Sequence, residues 1–275
     1  TKTGRTHLMD AMPIDFAQEL SGWKAQLESS KKTLIAATSR MNELSQGGTA
    51  IGTGINTHKD FSKNFCEEVN KISKLKTKPA KNFFQGLSSV DNAAELSSAL
   101  KNLSTILMKI SNDLRWMNSG PLTGLGEIEL EALQPGSSIM PGKVNPVVPE
   151  AVAMACADVI GNDVSITVAS QSGNFQLNVM LPLVAYNLLK SINLLGSAMP
   201  LLSNKAIKTF KINAKNINES LSKNPILVTA LNRKIGYGKA ALIAKKAYKE
   251  NKAIIDVASE ETGICLLYTS PSPRD

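Results

Sequence analysis

Apolar residues recur every three to four positions through most of the chain, the spacing that gathers them on one face of a helix. Phe16, Leu20, Trp23 and Leu27 begin such a stripe, and Leu34, Ile35, Met41 and Leu44 continue it. This helix is predicted to start after Pro13 and to end before Gly47 and Gly48. A second is predicted over 59–74. A third runs from Asp91, read as its N-cap, to Met117, with Leu96, Leu100, Leu103, Leu107, Ile110 and Leu114 on one face. Long helices are expected over 149–170 and 177–203, and shorter ones over 214–222, 225–234, 238–251 and 253–261. No clear strand alternation interrupts them. The pattern predicts an all-α protein: a bundle of long helices over 1–204 and a small C-terminal helical domain over 205–263. Residues 264–275 carry no periodicity and end in a Ser-Pro repeat, so they read as a non-native tail.

One stretch imitates a membrane span. From Val164 to Leu189 there is no Asp, Glu, Lys or Arg. Gln171, Ser172, Asn174, Gln176 and Asn178 nevertheless fall near its middle, and lipid penalises such amides heavily. A helix apolar nearly all round, yet not a span, is one buried in a large bundle. In a chain of this size, that burial points to other subunits.

Charge alters the picture little. The 275 residues carry a formal net charge of +8, mostly through lysines scattered over predicted helix faces, with a mild cluster between Lys59 and Lys81. Arginine-rich runs with interleaved aromatics, the mark of a nucleic-acid binder, are lacking. A basic surface suits small anionic substrates. Cys66, Cys156 and Cys265 show neither disulfide nor metal spacing, which favours a reducing, cytoplasmic setting and no metal cofactor.

Three stretches are candidates for chemistry. Residues 135–146 read PGSSIMPGKVNP, a loop with three prolines and two glycines inside a helical chain. Gly136 and Gly142 permit tight turns and close backbone approach. Ser137 and Ser138 supply hydroxyls, Lys143 a positive charge and Asn145 an amide, a set suited to a carboxylate or a developing oxyanion. The loop feeds a helix with Glu150 near its start. The alternative is a rigid connection between helices. The second stretch, TGRTHLMDAMP at 3–13, contains His7, whose ordinary pKa near ~6.5 suits acid–base work, though a lone histidine is more often structural. His58 reads as a loop or helix-start residue. The third, GGTAIGTG at 47–54, lacks the following Lys-Ser or Lys-Thr pair and the preceding strand of a phosphate loop. It reads as a tight turn that lines a pocket.

Taken together, these stretches resemble the fumarase/aspartase superfamily. GSSIMPGKVNP matches its signature and GRTHLMDA its second characteristic segment. The similarity continues through GGTAIGTGINTH, RWMNSGP, SGNFQLNV and LVTALNRKIGYGKAA, covering residues 1–263. It is strongest to the class II fumarases, whose membership implies a long-helix bundle, a homotetramer and no metal or other cofactor. The implied reaction is reversible anti-elimination of water from (S)-malate to fumarate through an aci-carboxylate.

By motif position the resemblance implies a role for each residue. Ser137 would take the carbon-bound proton, and His7 would act at the hydroxyl side, polarised by Glu150. Thr6, Ser138, Lys143, Val144 and Asn145 would hold the dicarboxylate. The family builds each active site from three segments on three subunits, and this chain carries the second and third. Beginning at Thr1 inside a motif, it is expected to be a fragment that lacks the first segment. Two other activities stay open. Aspartate ammonia-lyase chemistry runs on the same scaffold, and VNPVVPE occurs readily there. A non-catalytic structural role would tolerate loss of the serine, lysine or histidine, all of which are present.

Overall fold

The computed structural model describes residues 1–134, 139–250 and 252–263. Helices dominate: α1 (Phe16–Arg40), α2 (Phe61–Ser73), α3 (Phe83–Ser88), α4 (Asp91–Met117), α5 (Val147–Ser170) and α6 (Leu181–Leu202). After a π-turn at Ser203–Ile207 come α7 (Ala214–Lys223), a 3-10 segment (Pro225–Leu231), α8 (Asn232–Ile235), α9 (Tyr237–Glu250) and α10 (Ile254–Thr262). The all-α architecture expected from the periodicity is what forms.

Strands do exist, contrary to the sequence reading. β1 (Lys2–Thr6) pairs antiparallel with β2 (Met9–Ile14), β3 (Glu43–Leu44) parallel with β4 (Lys78–Pro79), and β5 (Ile128–Glu129) antiparallel with β6 (Lys211–Ile212). Four of the six are two residues long, too short to carry a period, and a bulge interrupts the hairpin β1–β2.

The chain divides into two compact units. One contains residues 25–115 and 131–209; the other contains 1–24, 116–130 and the chain from Phe210 onward. In the first, α4 buries Leu96, Leu100, Leu103, Leu107, Ile110 and Leu114, the stripe read from sequence. Asp91 is not the N-cap but the first helical residue; its carboxylate accepts from Ser89 Oγ at 2.8 Å and Gln85 Nε2 at 3.2 Å. A negative charge there suits the helix dipole.

α5 and α6 pack along their lengths. Val152, Cys156, Val159 and Ile166 meet a buried face of Val184, Leu188, Leu195 and Leu202. The Asn162 amide donates to Ser191 Oγ across the pair at 3.2 Å. α5 starts two residues before the expected Pro149, which its first turn tolerates because no helical partner awaits that N–H. α6 starts later than expected, at Leu181, because 171–180 are used as the connecting turn. Asn178, fully buried, holds that turn: its Nδ2 donates to Ala169 O at 3.0 Å and its Oδ1 accepts from Met180 N at 2.9 Å. The amides that disqualified a membrane span are therefore the bend between two helices.

By length and composition, α5 is itself apolar enough to cross a membrane. Its buried Asp163 accepts from Ser97 Oγ at 2.7 Å and pairs with Lys101 Nζ at 2.5 Å, as a core helix packed on α4 does.

The second unit has its own core, built from Val228, Ala240, Ile243, Ala247, Ile254 and Val257. Residues 225–231 wind as a 3-10 helix rather than continuing as the expected α-helix, and Gly236 at φ +76° closes α8.

Candidate active site

The hairpin β1–β2 presents His7. Register pairs Thr6 with Met9, so His7 and Leu8 form a two-residue turn. Both sit in the left-handed region, at φ +53° and +61°. Such turns match the twist of the strands but normally use Asn and Gly, because a side chain costs energy there. Here the tip is His-Leu, and both side chains stand exposed. Thr6 is exposed beside them.

The base of the hairpin is the opposite in character. Lys2 and Thr3 are buried. A bulge separates Thr3 from Arg5, and Gly4 lies within it. A Cβ at Gly4 would meet Met12 O at 2.7 Å, so only glycine permits the two strands to approach there. Lys2 Nζ donates to Glu19 Oε2 at 2.7 Å and lies 2.6 Å from Glu127 Oε2. Arg5 Nη1 lies 2.8 Å from Glu127 Oε1. From the C-terminal part of the same unit, buried Asn224 donates to Ala11 O at 3.0 Å and to Thr3 Oγ1 at 3.3 Å. Sequence reasoning missed Lys2, Glu19, Glu127 and Asn224. Their partners lie up to 221 positions away, and no local spacing announces such a contact.

The signature loop enters the description at Ile139; Ser137 and Ser138 lie outside the described residues. Gly142 turns at φ +84° with open space where a Cβ would stand, and the Lys143 N–H donates to Met140 O at 3.2 Å. Lys143 and Val144 are exposed and Asn145 is half-buried. Val147 N donates to Asn145 O at 2.9 Å as α5 begins. Glu150 follows in the first turn of α5, half-buried, where a carboxylate is favoured by the helix dipole. Lys143, Val144, Asn145 and Glu150 are thus grouped on one loop–helix junction of one unit. Thr6 and His7 are grouped on the hairpin of the other. Each group combines exposed polar side chains with a fixed backbone, which suits recognition of a small anion.

Cavities lie elsewhere among the described residues. One of about 390 Å³ is lined by Ser45, Gly47, Thr49, Asn56, His58 and Phe61, so the glycine-rich turn does line a pocket. His58 precedes α2, and its Nδ1 accepts from Asp60 N at 3.2 Å. A larger one, about 700 Å³, lies between the Arg40–Asn92 region and α6 and contains none of the candidate residues. Two of the charges lining it are paired: Arg40 with Glu95 at 2.5 Å, and Glu43 with Lys78 at 3.0 Å. The hydrogen bond from Lys78 draws the Glu43 carboxyl below the ordinary carboxylate value. Among the described residues no cluster of His, Cys, Asp and Glu could hold a metal ion. Cys66 and Cys156 are free and buried, and burial pushes the Cys156 thiol up to about 11.

Comparison with known proteins gives a consistent answer. Residues 1–161 match the family described as Lyase, and residues 227–264 match the fumarase C C-terminus. A class II fumarate hydratase of Pseudomonas aeruginosa is 59% identical over 263 residues, covering 96% of this chain and 57% of the relative. One from Bacillus subtilis is 46% identical over 257 residues, covering 94% of this chain and 56% of the relative. The crystal structure of a class II fumarase from Schistosoma mansoni superposes with a TM-score of 0.91 at 35% identity, covering 97% of this chain and 59% of that one. A fumarate lyase:delta crystallin from Brucella melitensis, bound to cobalt, superposes at 0.92 with 38% identity, covering 98% and 61%. The chain therefore spans little more than half the length of the relatives it matches.

Proposed function

Because this chain belongs to the lyase family that its residues 1–161 match, we propose that the whole protein is a class II fumarate hydratase. The observation that carries this reading is the 59% identity to a class II fumarate hydratase over nearly the full chain. The hairpin and the loop–helix junction support it, since both present side chains the reaction needs.

The reaction runs as an anti-elimination. Ser137, as an alkoxide stabilised by loop N–H groups and the Lys143 charge, takes a proton from the carbon beside one malate carboxylate. The electron pair moves into that carboxylate, giving an aci-carboxylate dianion. Lys143 and Asn145 hold the carboxylates, with Thr6, Ser138 and Val144 completing the contact. The dianion then collapses, the neighbouring C–O bond breaks, and the departing oxygen takes a proton from His7 to leave as water. Glu150 polarises the His7 imidazole. Hydration of fumarate is the reverse path. No cofactor takes part in this scheme.

The assembly that goes with this reading is a homotetramer with active sites shared between subunits, in the cytoplasm. The exposed apolar faces of α5 and α6 support such an assembly: Val164, Val168, Leu181, Tyr186 and Leu189 are all uncovered in the single chain.

The test is substrate choice. Purified whole protein is expected to interconvert fumarate and (S)-malate and to release no ammonia from aspartate. Ammonia release without hydration would replace this reading with an aspartate ammonia-lyase.

A further inference from the structure

The turn that presents His7 is strained, and strain of this kind persists only where the surroundings impose it. Two consecutive non-glycine residues stand at φ +53° and +61°, a backbone region that side chains disfavour. A free hairpin would relax. This one is gripped on β1, at Lys2 and Arg5.

In a regular strand, Lys2 and Arg5 would point to opposite faces, being an odd number of residues apart. The bulge between Thr3 and Arg5 breaks that alternation and brings both cations to one carboxylate. Lys2 Nζ stands 2.6 Å from Glu127 Oε2 and Arg5 Nη1 2.8 Å from Oε1, two ion pairs on one carboxylate. Glu19 balances the charge by accepting from Lys2 at 2.7 Å. The side chains of Lys2 and Glu127 are 3% and 5% exposed. A buried pair of this kind adds little net stability over apolar packing, yet removing one partner strands a buried charge. Its strength is in fixing geometry, and the residue after Arg5 is Thr6, followed by His7.

We propose that Glu127 is a positioning residue for the Thr6–His7 turn. Its carboxylate pins β1 through Lys2 and Arg5, and the pinned strand holds the strained turn in a single presentation of the imidazole. The kinetic part rests on the hydratase reading above; the anchoring part does not.

The test uses the whole protein with Glu127→Gln, which keeps shape and removes charge, and Arg5→Lys, which keeps charge and loses the planar fork. Hydrogen exchange, read by mass spectrometry, should rise about tenfold or more in amides 3–12 of both variants while the rest of the protein keeps its protection. Turnover of fumarate should fall about tenfold or more with KM changed less than about threefold, and Glu127→Asp should recover part of it. Unchanged exchange in the hairpin would overturn the anchor. Faster hairpin exchange with unchanged turnover would overturn the positioning role. Loss of protection throughout the protein in every variant would also overturn it, by making Glu127 a general structural support. If the wild-type protein turns over no fumarate, the hydratase reading fails, and the exchange measurement still decides the anchor.

Discussion

Two cysteines with no partner and no exposure illustrate what single residues contribute. Cys156 is fully buried on α5, and burial pushes its thiol from the ordinary 9.0 up to about 11 because it disfavours the thiolate. The folded state therefore holds this proton more tightly than the unfolded state. Stability should be unaffected below pH 9 and should fall as pH rises through 9 towards 11. Thermal melts of wild type and Cys156→Ala test this: the wild-type advantage should shrink across that window and stay constant below it. A constant difference throughout would show that the thiol is not held in its neutral form. At this scale the sequence was informative about chemistry and silent about conformation. GRTH marked His7 as a candidate acid–base group, but nothing in those letters places His7 and Leu8 in left-handed backbone. Nor does anything near Lys2 foretell a partner at position 127. Long-range ion pairs leave no periodic trace, so only the fold reveals them.

Among the elements, the long helices were the most legible. α4 begins and ends where its apolar stripe does, because a 27-residue helix repeats its period many times. Short elements were not legible. The hairpin carrying His7 has an interrupted period, and the two-residue strands have none. The boundary errors share one cause: polar side chains redirect the backbone. Asn178 is the clearest case. It satisfies the Ala169 carbonyl at the end of α5 and the Met180 N–H at the start of α6, and its own N–H donates to Leu87 O at 2.9 Å. Asn178→Leu would leave the part-buried Met180 N–H without its acceptor, at about 1–3 kcal/mol, while the Ala169 carbonyl would keep the Ser172 N–H at 3.1 Å. A drop of at least about 1 kcal/mol in urea-monitored stability is expected. A change below about 0.5 kcal/mol, ordinary for exposed sites, would mean that the turn is held by something else.

For the molecule as a whole, the uncharged stretch from 164 to 189 was legible as a surface needing cover, and α5 and α6 leave Val164, Val168, Tyr186 and Leu189 exposed. Light scattering of the whole protein should give a mass above one chain, and Val164→Lys with Leu189→Lys should shift it to smaller species. A monomeric wild type would remove the need for that cover. The candidate site was legible as two motifs but not as a geometry. Its loop and hairpin are 130 positions apart between His7 and Ser137, and Ser137 lies outside the described residues. The central claim is that these motifs belong to one hydratase, and its most direct measurement is fumarate turnover, followed by ultraviolet absorbance, in the whole wild-type protein and in His7→Asn. Fumarate loss balanced by malate is expected in the wild type, and turnover about a hundredfold lower in the variant with modest change in KM. A wild type that leaves fumarate untouched, or a variant that turns it over at the wild-type rate, would contradict it.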